Sequence, residues 1–183
     1  MCTATVAATR ETRQKMRSHA PIQTGSAGFS HCGHYRYWLR RVWDLDRPQC
    51  AWIGLNPSTA DACTDDPTLR RCIRFSDDWG YGSLLLVNLF AWRATDPSAL
   101  LEAPDPIGTR TSLWLRRAVN ESHCVMAAWG NGGLIRHRAH EVAATLADAH
   151  CLGLTALGMP RHPLYCPKHA TPRPFPPQPG SAP

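Results

Sequence analysis

The chain has 183 residues, 43% of them hydrophobic, which is enough for one domain with its own core. No apolar segment approaches the roughly 18 residues of a membrane span, and no apolar signal-peptide core is visible, so we expect a cytoplasmic protein with no membrane partner. The net charge of +6 and the pI near 9.1 favour an anionic partner, either nucleic acid or a nucleotide.

Composition divides the chain into three parts. Residues 1–28 are small and polar, which predicts a disordered leader. Residues 29–167 contain all the long apolar runs and predict a single α/β domain. Residues 168–183 are rich in Pro and predict a disordered tail.

The first elements of the domain are two strands and a helix. Residues 35–43 alternate partly between apolar and polar, which predicts a half-buried strand with Arg36 and Arg40 on its polar side. A turn at residues 44–48 would pair this strand as an antiparallel hairpin with the short apolar run at residues 50–55. Asp66 then caps a helix whose first residue is Pro67.

Three further buried strands alternate with helices. The helices are expected near residues 98–103, 110–120 and 134–149, and the strands at residues 83–92, 123–129 and 151–155. This alternation is typical of parallel sheets covered by helices. We therefore predict a three-layer α/β fold with a short four-stranded, mainly parallel sheet, flanked by helices and extended by the N-terminal antiparallel hairpin strand.

The cysteines and histidines do not form a recognisable metal motif. The eight cysteines are scattered without a Cys-x-x-Cys pair, which is typical of core thiols in a reducing compartment. His31, Cys32 and His34 are closely spaced, but a zinc site needs four ligands, and the next candidates are far along the chain. We expect neither a metal nor another cofactor.

Three polar loops are expected at one edge of the sheet. They follow strands at residues 56–61, 88–96 and 161–165. The carboxyl ends of parallel strands share one rim, and ligands of open α/β sheets bind there. The convergence of these loops predicts a ligand site with Asn56 at its centre.

Several segments resemble one uncharacterised bacterial family, a domain of unknown function. The matching motifs are GLNPSTAD at residues 54–61, NLFAWRATDP at residues 88–97 and PRHPLY at residues 160–165. The resemblance extends over about residues 29–167. It supports a family assignment and implies no activity.

A more remote resemblance is to the uracil-DNA glycosylase superfamily. Gly54-Leu-Asn-Pro57 is similar to the Gly-x-Asn-Pro segment of its mismatch-specific branch, Asn88 begins a similar basic loop, and His162-Pro163 resembles a late His-Pro segment. Asn56 stands where the main uracil branch has a water-activating Asp, and no cysteine arrangement fits an iron–sulfur cluster. The resemblance implies a short parallel sheet flanked by helices and a hydrolase of DNA repair that flips a base out of the duplex.

The resemblance also implies roles for individual residues. Asn56 would orient the attacking water, and His162 would donate a hydrogen bond to the departing base. A nearby carboxylate would come from Asp61, Asp65 or Asp66, although Asp66 is better explained as a helix cap. Asn88 would pair with the base edge, while Phe90 or Trp92 would stack on the base. Arg93 and Arg161 would hold phosphates. Gly54, Pro57 and Ser58 would complete the contacts with base or nucleic acid.

The sequence leaves two alternatives open. The same rim would serve an enzyme that processes a small nucleotide or nucleoside. It would also serve a module that binds nucleic acid without catalysis. Salt-dependent DNA binding without base release distinguishes the module from the hydrolase, and a small-substrate enzyme should show little such binding.

Overall fold

The computed structural model describes residues 21–175, which form an α/β domain around one mixed sheet of seven strands. The strands are β1 (Thr24–Phe29), β2 (Arg36–Val42), β3 (Gln49–Gly54), β4 (Ser83–Asn88), β5 (Cys124–Ala127), β6 (Ala149–Cys151) and β7 (Arg173–Phe175). The α-helices are α1 (Pro67–Asp78), α2 (Ala99–Glu102), α3 (Thr111–Glu121) and α4 (Arg138–Ala143). Two 3-10 segments, Gly130–His137 and Pro163–Tyr165, complete the elements.

The strand order is β1-β2-β4-β3-β5-β6-β7. Strands β4, β3, β5 and β6 run parallel, and β1, β2 and β7 add antiparallel pairs at the two edges. The sequence therefore predicts the α/β class and the mixed direction correctly, but its four-stranded sheet is too small. The two strands that the sequence does not predict, β1 and β7, lack the long apolar run by which a buried strand is recognised.

Helices cover both faces of the sheet because β3 alternates its buried side chains between them. Ala51 and Ile53 lie in a core cluster with residues of α3 and α4. Cys50 and Trp52 lie in a second cluster with residues of α1 on the other face. All four side chains are fully buried, as expected for a central strand.

The predicted hairpin between β2 and β3 is wrong. β2 pairs with β4 instead, with Leu39 opposite Leu86, and β3 lies between β4 and β5. The turn after β2 is anchored because the amides of Trp43 and Asp44 both donate to the Gly82 carbonyl. Every residue of β4 is buried, so this strand needs a neighbour on each side, and β2 supplies the second.

Both predicted disordered tails contain a strand within the described residues. Thr24–Phe29 is the edge strand β1, held by the backbone ladder to β2 rather than by apolar side chains. Arg173–Phe175 is the edge strand β7, where Phe175 packs edge-on against Trp129 at 5.4 Å between ring centroids. A Pro is tolerated at such an edge. The rest of the predicted leader and tail lies outside the described residues.

The predicted helix at residues 134–149 is also wrong in extent. Gly130–His137 is a kinked 3-10 segment, in which Arg136 and His137 have φ of 53° and 57°. Only Arg138–Ala143 is α-helical, and strand β6 begins at Ala149, before its predicted start. Consecutive left-handed residues break the α-helical hydrogen bonding, so the apolar spacing does not continue as one helix. By contrast, Asp66 caps α1 and Pro67 begins it, as predicted.

No helix among residues 21–175 is long and apolar enough to cross a membrane. The seven described cysteines are free thiols, and Cys2 lies outside the described residues.

Candidate functional site

A cavity of about 340 Å³ lies at the carboxyl ends of β3, β4 and β5. Its volume is at the lower end of the range for small-molecule sites, roughly 300–1,000 Å³. The predicted site residues that line it are Gly54, Asn56, Ser58, Asn88 and His162, together with Arg36, Asp66, Thr68 and Trp129 from other elements. The three polar loops predicted at the rim each contribute to this one cavity.

The floor of the cavity contains an unpartnered amide. Asn88 is 4% exposed, and its Nδ2 has no hydrogen-bond partner among the described residues. Asn88 is the register partner of Gly54 on the neighbouring strand, and a Cβ at Gly54 would approach Asn88 Oδ1 to 2.6 Å. Gly54 therefore provides the room that this buried amide needs. An unpaired buried amide is costly, which makes it a strong sign of a ligand contact.

Asn56 links two of the rim loops. Its Nδ2 donates to the carbonyl of Ala94 at 2.8 Å and to that of Pro57 at 3.2 Å, and the Ala94 amide donates to the Pro57 carbonyl at 2.9 Å. No donor among the described residues bonds Asn56 Oδ1. The amide is thus fixed in orientation by its nitrogen, and its oxygen remains available as an acceptor.

His162 is held in a short rigid segment. The Gly130 amide donates to the Pro160 carbonyl at 2.8 Å, and Pro163 begins the following 3-10 turn. His162 Nδ1 is buried and has no partner among the described residues. Burial lowers the pKa of His162, and the nearby Asp66 carboxylate opposes this effect only in part. The imidazole is therefore neutral at neutral pH, able to donate from one nitrogen and accept at the other.

Arg36 is the cavity residue that the sequence places wrongly. It was predicted on the polar side of its strand, but it is 1% exposed and lines the cavity. Its Nη1 donates to the Ala60 carbonyl, while its Nε has no partner among the described residues. Burial lowers the pKa of Arg36 to about 10, with Asp66 as the largest opposing influence. The guanidinium is therefore still charged at neutral pH.

The start of α1 forms one wall of the cavity. Asp66 Oδ1 accepts the Leu69 amide at 2.7 Å, which confirms Asp66 as the helix cap. Asp66 and Thr68 also line the cavity, so the positive end of the helix dipole lies beside it. Trp129 Nε1 is also buried without a partner among the described residues, but its indole packs in the core cluster with residues of α3 and α4, on the other face of the sheet from α1.

Asp61, predicted as a catalytic carboxylate, does not line the cavity. Its Oδ1 accepts the amides of Cys63 at 2.8 Å and Thr64 at 2.7 Å, and these hydrogen bonds lower its pKa. Its geometry is that of a turn cap. Pro57 also lies outside the lining, buried beneath the rim with its carbonyl occupied by the loop contacts of Asn56 and Ala94.

The aromatic residues predicted to stack on a base lie elsewhere. Phe90 is completely buried in the core cluster beneath α3 and α4. Trp92 stacks on His34, with ring centroids 5.2 Å apart, and meets Tyr35 edge-on. Neither lines the cavity. They are close to the site along the chain, but they follow the end of β4 at Asn88, and their side chains pack elsewhere.

The two arginines predicted to hold phosphates are exposed and lie outside the cavity lining. Arg93 donates to the Gly33 carbonyl at 3.0 Å, and Arg161 donates to the Leu154 carbonyl at 2.9 Å. Neither takes part in an ion pair among the described residues. Their charges are therefore available to an external anion.

Chemically, the cavity is rich in hydrogen-bond donors. Arg36 Nε, Asn88 Nδ2 and His162 Nδ1 are buried nitrogens of lining residues that have no partner among the described residues. The arrangement suits a ligand with several oxygen or nitrogen acceptors. Within residues 21–175, no group of three or more His, Cys, Asp or Glu residues is placed to hold a metal ion.

Comparison with known proteins gives a family. The family model described as "Protein of unknown function (DUF1643)" matches residues 36–164, which include every residue of the cavity named above. No curated protein and no solved structure matches the chain. The family model covers well over half of the sequence, and the motifs at residues 54–61 and 88–97 lie entirely within it. The chain therefore belongs to this uncharacterised family, DUF1643.

Proposed function

We propose that the protein is a DNA glycosylase-like hydrolase that cleaves the N-glycosidic bond of a flipped, damaged or modified base in nucleic acid. The observation that carries this proposal is the convergence of Asn56, Asn88 and His162 from three separate loops on one cavity. Each of these residues keeps at least one polar atom without a partner among the described residues. In such a cavity, the unpartnered polar atoms would form hydrogen bonds with the edge of a base and stabilise the base as it leaves.

The reaction breaks the bond between the sugar C1′ and the base nitrogen, and the electron pair leaves with the base. Water then forms the new bond to C1′, and the proton that it loses passes to the departed base, so that the products are a sugar hydroxyl and the free neutral base. Asn56 Oδ1 accepts a hydrogen bond from this water and orients it, because an amide is too weak a base to deprotonate it. Asp66 replaces Asp61 as the carboxylate of the site, since it lines the cavity and Asp61 does not.

The base is held by the donors of the floor. Asn88 Nδ2 donates to an acceptor on the base edge, and the neutral His162 donates to a base carbonyl as negative charge develops there. Arg93 and Arg161, exposed and without an ion pair among the described residues, contact phosphates of the strand outside the cavity. The net charge of +6 supports a nucleic-acid partner.

A small nucleotide or nucleoside is the second candidate substrate. Arg36 favours it, because a buried guanidinium in the cavity would suit a phosphate that enters with its base. The volume of about 340 Å³ is also suited to a free small molecule.

The test is release of free base, read by mass spectrometry, from single- and double-stranded oligonucleotides that carry uracil, other deaminated bases or modified bases. We expect Asn56→Ala and His162→Ala to reduce release about 100-fold or more while retaining DNA affinity. Asn120→Ala and His140→Ala are matched controls, because both residues are exposed and neither lines the cavity.

Release that is equal in site and control variants would overturn the assignment of this cavity. Absence of release from every oligonucleotide, with turnover of free nucleotides that depends on Asn56, would replace the proposal by the small-substrate enzyme. DNA binding without release or turnover would leave only a binding module.

A further inference from the structure

Arg36 is a buried cation without a carboxylate partner. None of the ion pairs among the described residues includes it, although it is 1% exposed. Its guanidinium forms one hydrogen bond, from Nη1 to the Ala60 carbonyl, and its Nε has no partner among the described residues. Burying a charge with so little compensation is expensive, unless a ligand completes the site.

The other charges near Arg36 do not neutralise the cavity. Asp66 and Asp61 raise the pKa of Arg36, whereas Arg93 and Arg41 lower it. Asp66 is the only one of these four that shares the cavity lining, and one of its oxygens is occupied as the cap of α1. The positive end of this 12-residue helix faces the same space through Thr68.

We propose that Arg36 holds an anionic oxygen of the ligand, so that the cavity prefers ligands that carry or develop negative charge. The inference rests on the proposed function and adds to it a substrate class: bases whose carbonyl oxygens carry the charge of the departing anion. Asn88 Nδ2, buried without a partner among the described residues, is a second donor from a residue of the same cavity. A phosphate oxygen presents the same chemistry, and the experiment separates the two sources.

The experiment measures binding at equilibrium by calorimetry, without turnover. One arm compares orthophosphate and uridine 5′-monophosphate with uridine. The other compares uracil with 5-fluorouracil, at a pH where 5-fluorouracil is mainly ionised and uracil is mainly neutral. We expect the charged probe of at least one arm to bind wild-type protein more tightly than its neutral counterpart. The arm that shows this preference identifies the source of the anionic oxygen.

Two substitutions of Arg36 test its charge directly. Arg36→Gln keeps a hydrogen-bond donor but removes the charge, and should weaken binding of the preferred probe by about 10- to 100-fold. Arg36→Lys keeps the charge and should retain most of the preference for the charged probe. Arg41→Gln is the matched control, since Arg41 is an equally buried arginine of β2 that does not line the cavity.

The inference is overturned if neither charged probe is preferred by wild-type protein, or if the preference survives in Arg36→Gln. Should Arg36→Gln fail to fold, the comparison of charged with neutral probes on wild-type protein decides alone. Base release with full activity in Arg36→Gln would remove this inference and leave the proposed function intact. A charge preference that depends on Arg36, without any base release, would remove the proposed hydrolase and leave the preference of the cavity for anionic ligands intact.

Discussion

Arg36 and Arg41 lie on the same strand, are equally buried and contact the same loop, yet their surroundings differ. Arg41 Nε donates to Asp65 Oδ1 at 2.8 Å, and its two terminal nitrogens donate to backbone carbonyls. Arg36 has one carbonyl partner and no ion pair among the described residues. A buried charge with all its donors satisfied supports the fold, whereas one with open donors indicates a ligand.

The two buried tryptophans of the cavity lining also differ in how their polar atoms are satisfied. Trp52 Nε1 donates to Ser76 Oγ at 2.9 Å, so its polar atom serves the packing of α1 on the sheet. Trp129 Nε1 has no partner among the described residues, although Trp129 is 2% exposed. Four of the six buried side-chain atoms without a partner among the described residues belong to residues that line the cavity, and the other two are Arg71 Nε of α1 and His150 Nδ1 of β6.

The largest effect that would test this contrast is on stability. Arg41→Met removes the partner of Asp65 and the donor to the Asp61 carbonyl, so we expect a loss of about 3 kcal/mol in the free energy of unfolding. Arg36→Met removes an uncompensated charge and one hydrogen bond, and should change stability by no more than about 1 kcal/mol. Urea unfolding of both variants measures the difference. Equal losses would show that Arg36 is as structural as Arg41.

An intermediate effect is expected where Gly54 meets Asn88. Gly54→Ala places a Cβ 2.6 Å from Asn88 Oδ1, and should cost about 1–2 kcal/mol because the strand leaves little room to move. In the double variant Gly54→Ala, Asn88→Ala the obstructing amide is gone, so most of that cost should disappear. A double-mutant cycle by urea unfolding measures the coupling. Additive losses would mean that Gly54 is required for another reason.

The sequence predicts the central part of this fold well because long apolar runs are local signals. The buried strands at β3, β4 and β5 and the cap of α1 at Asp66 are where the sequence places them. The edge strands β1 and β7 are held by backbone hydrogen bonds to their neighbours, which no side-chain pattern records. The partner of β2 depends on which strand lies at the sheet centre, and that is a property of the whole sheet.

The site was predictable where it follows strand ends. Asn56, Asn88 and His162 each lie at a strand end or on a rim loop, and all three line the cavity. Phe90 and Asp61 do not line the cavity, because their local roles, core packing and turn capping, direct their side chains elsewhere. Arg36 was missed because it comes from β2, a strand whose place in the sheet was itself predicted wrongly. Only the strand order brings its guanidinium to the cavity.

The smallest effect concerns the pH dependence of stability at His162. Burial lowers the pKa of His162 below the ordinary value of 6.5 that applies in the unfolded chain. As the pH falls through about 6.5, the unfolded chain therefore binds this proton more readily than the folded protein, and folding stability decreases. His162→Gln should show a shallower decline in the free energy of unfolding from neutral to mildly acidic pH. The exposed His140, replaced by Gln, provides the matched control.

An unchanged decline in His162→Gln would mean that the imidazole can be protonated in the folded cavity as easily as in water. It would then enter the reaction partly as a cation rather than as the neutral donor proposed above.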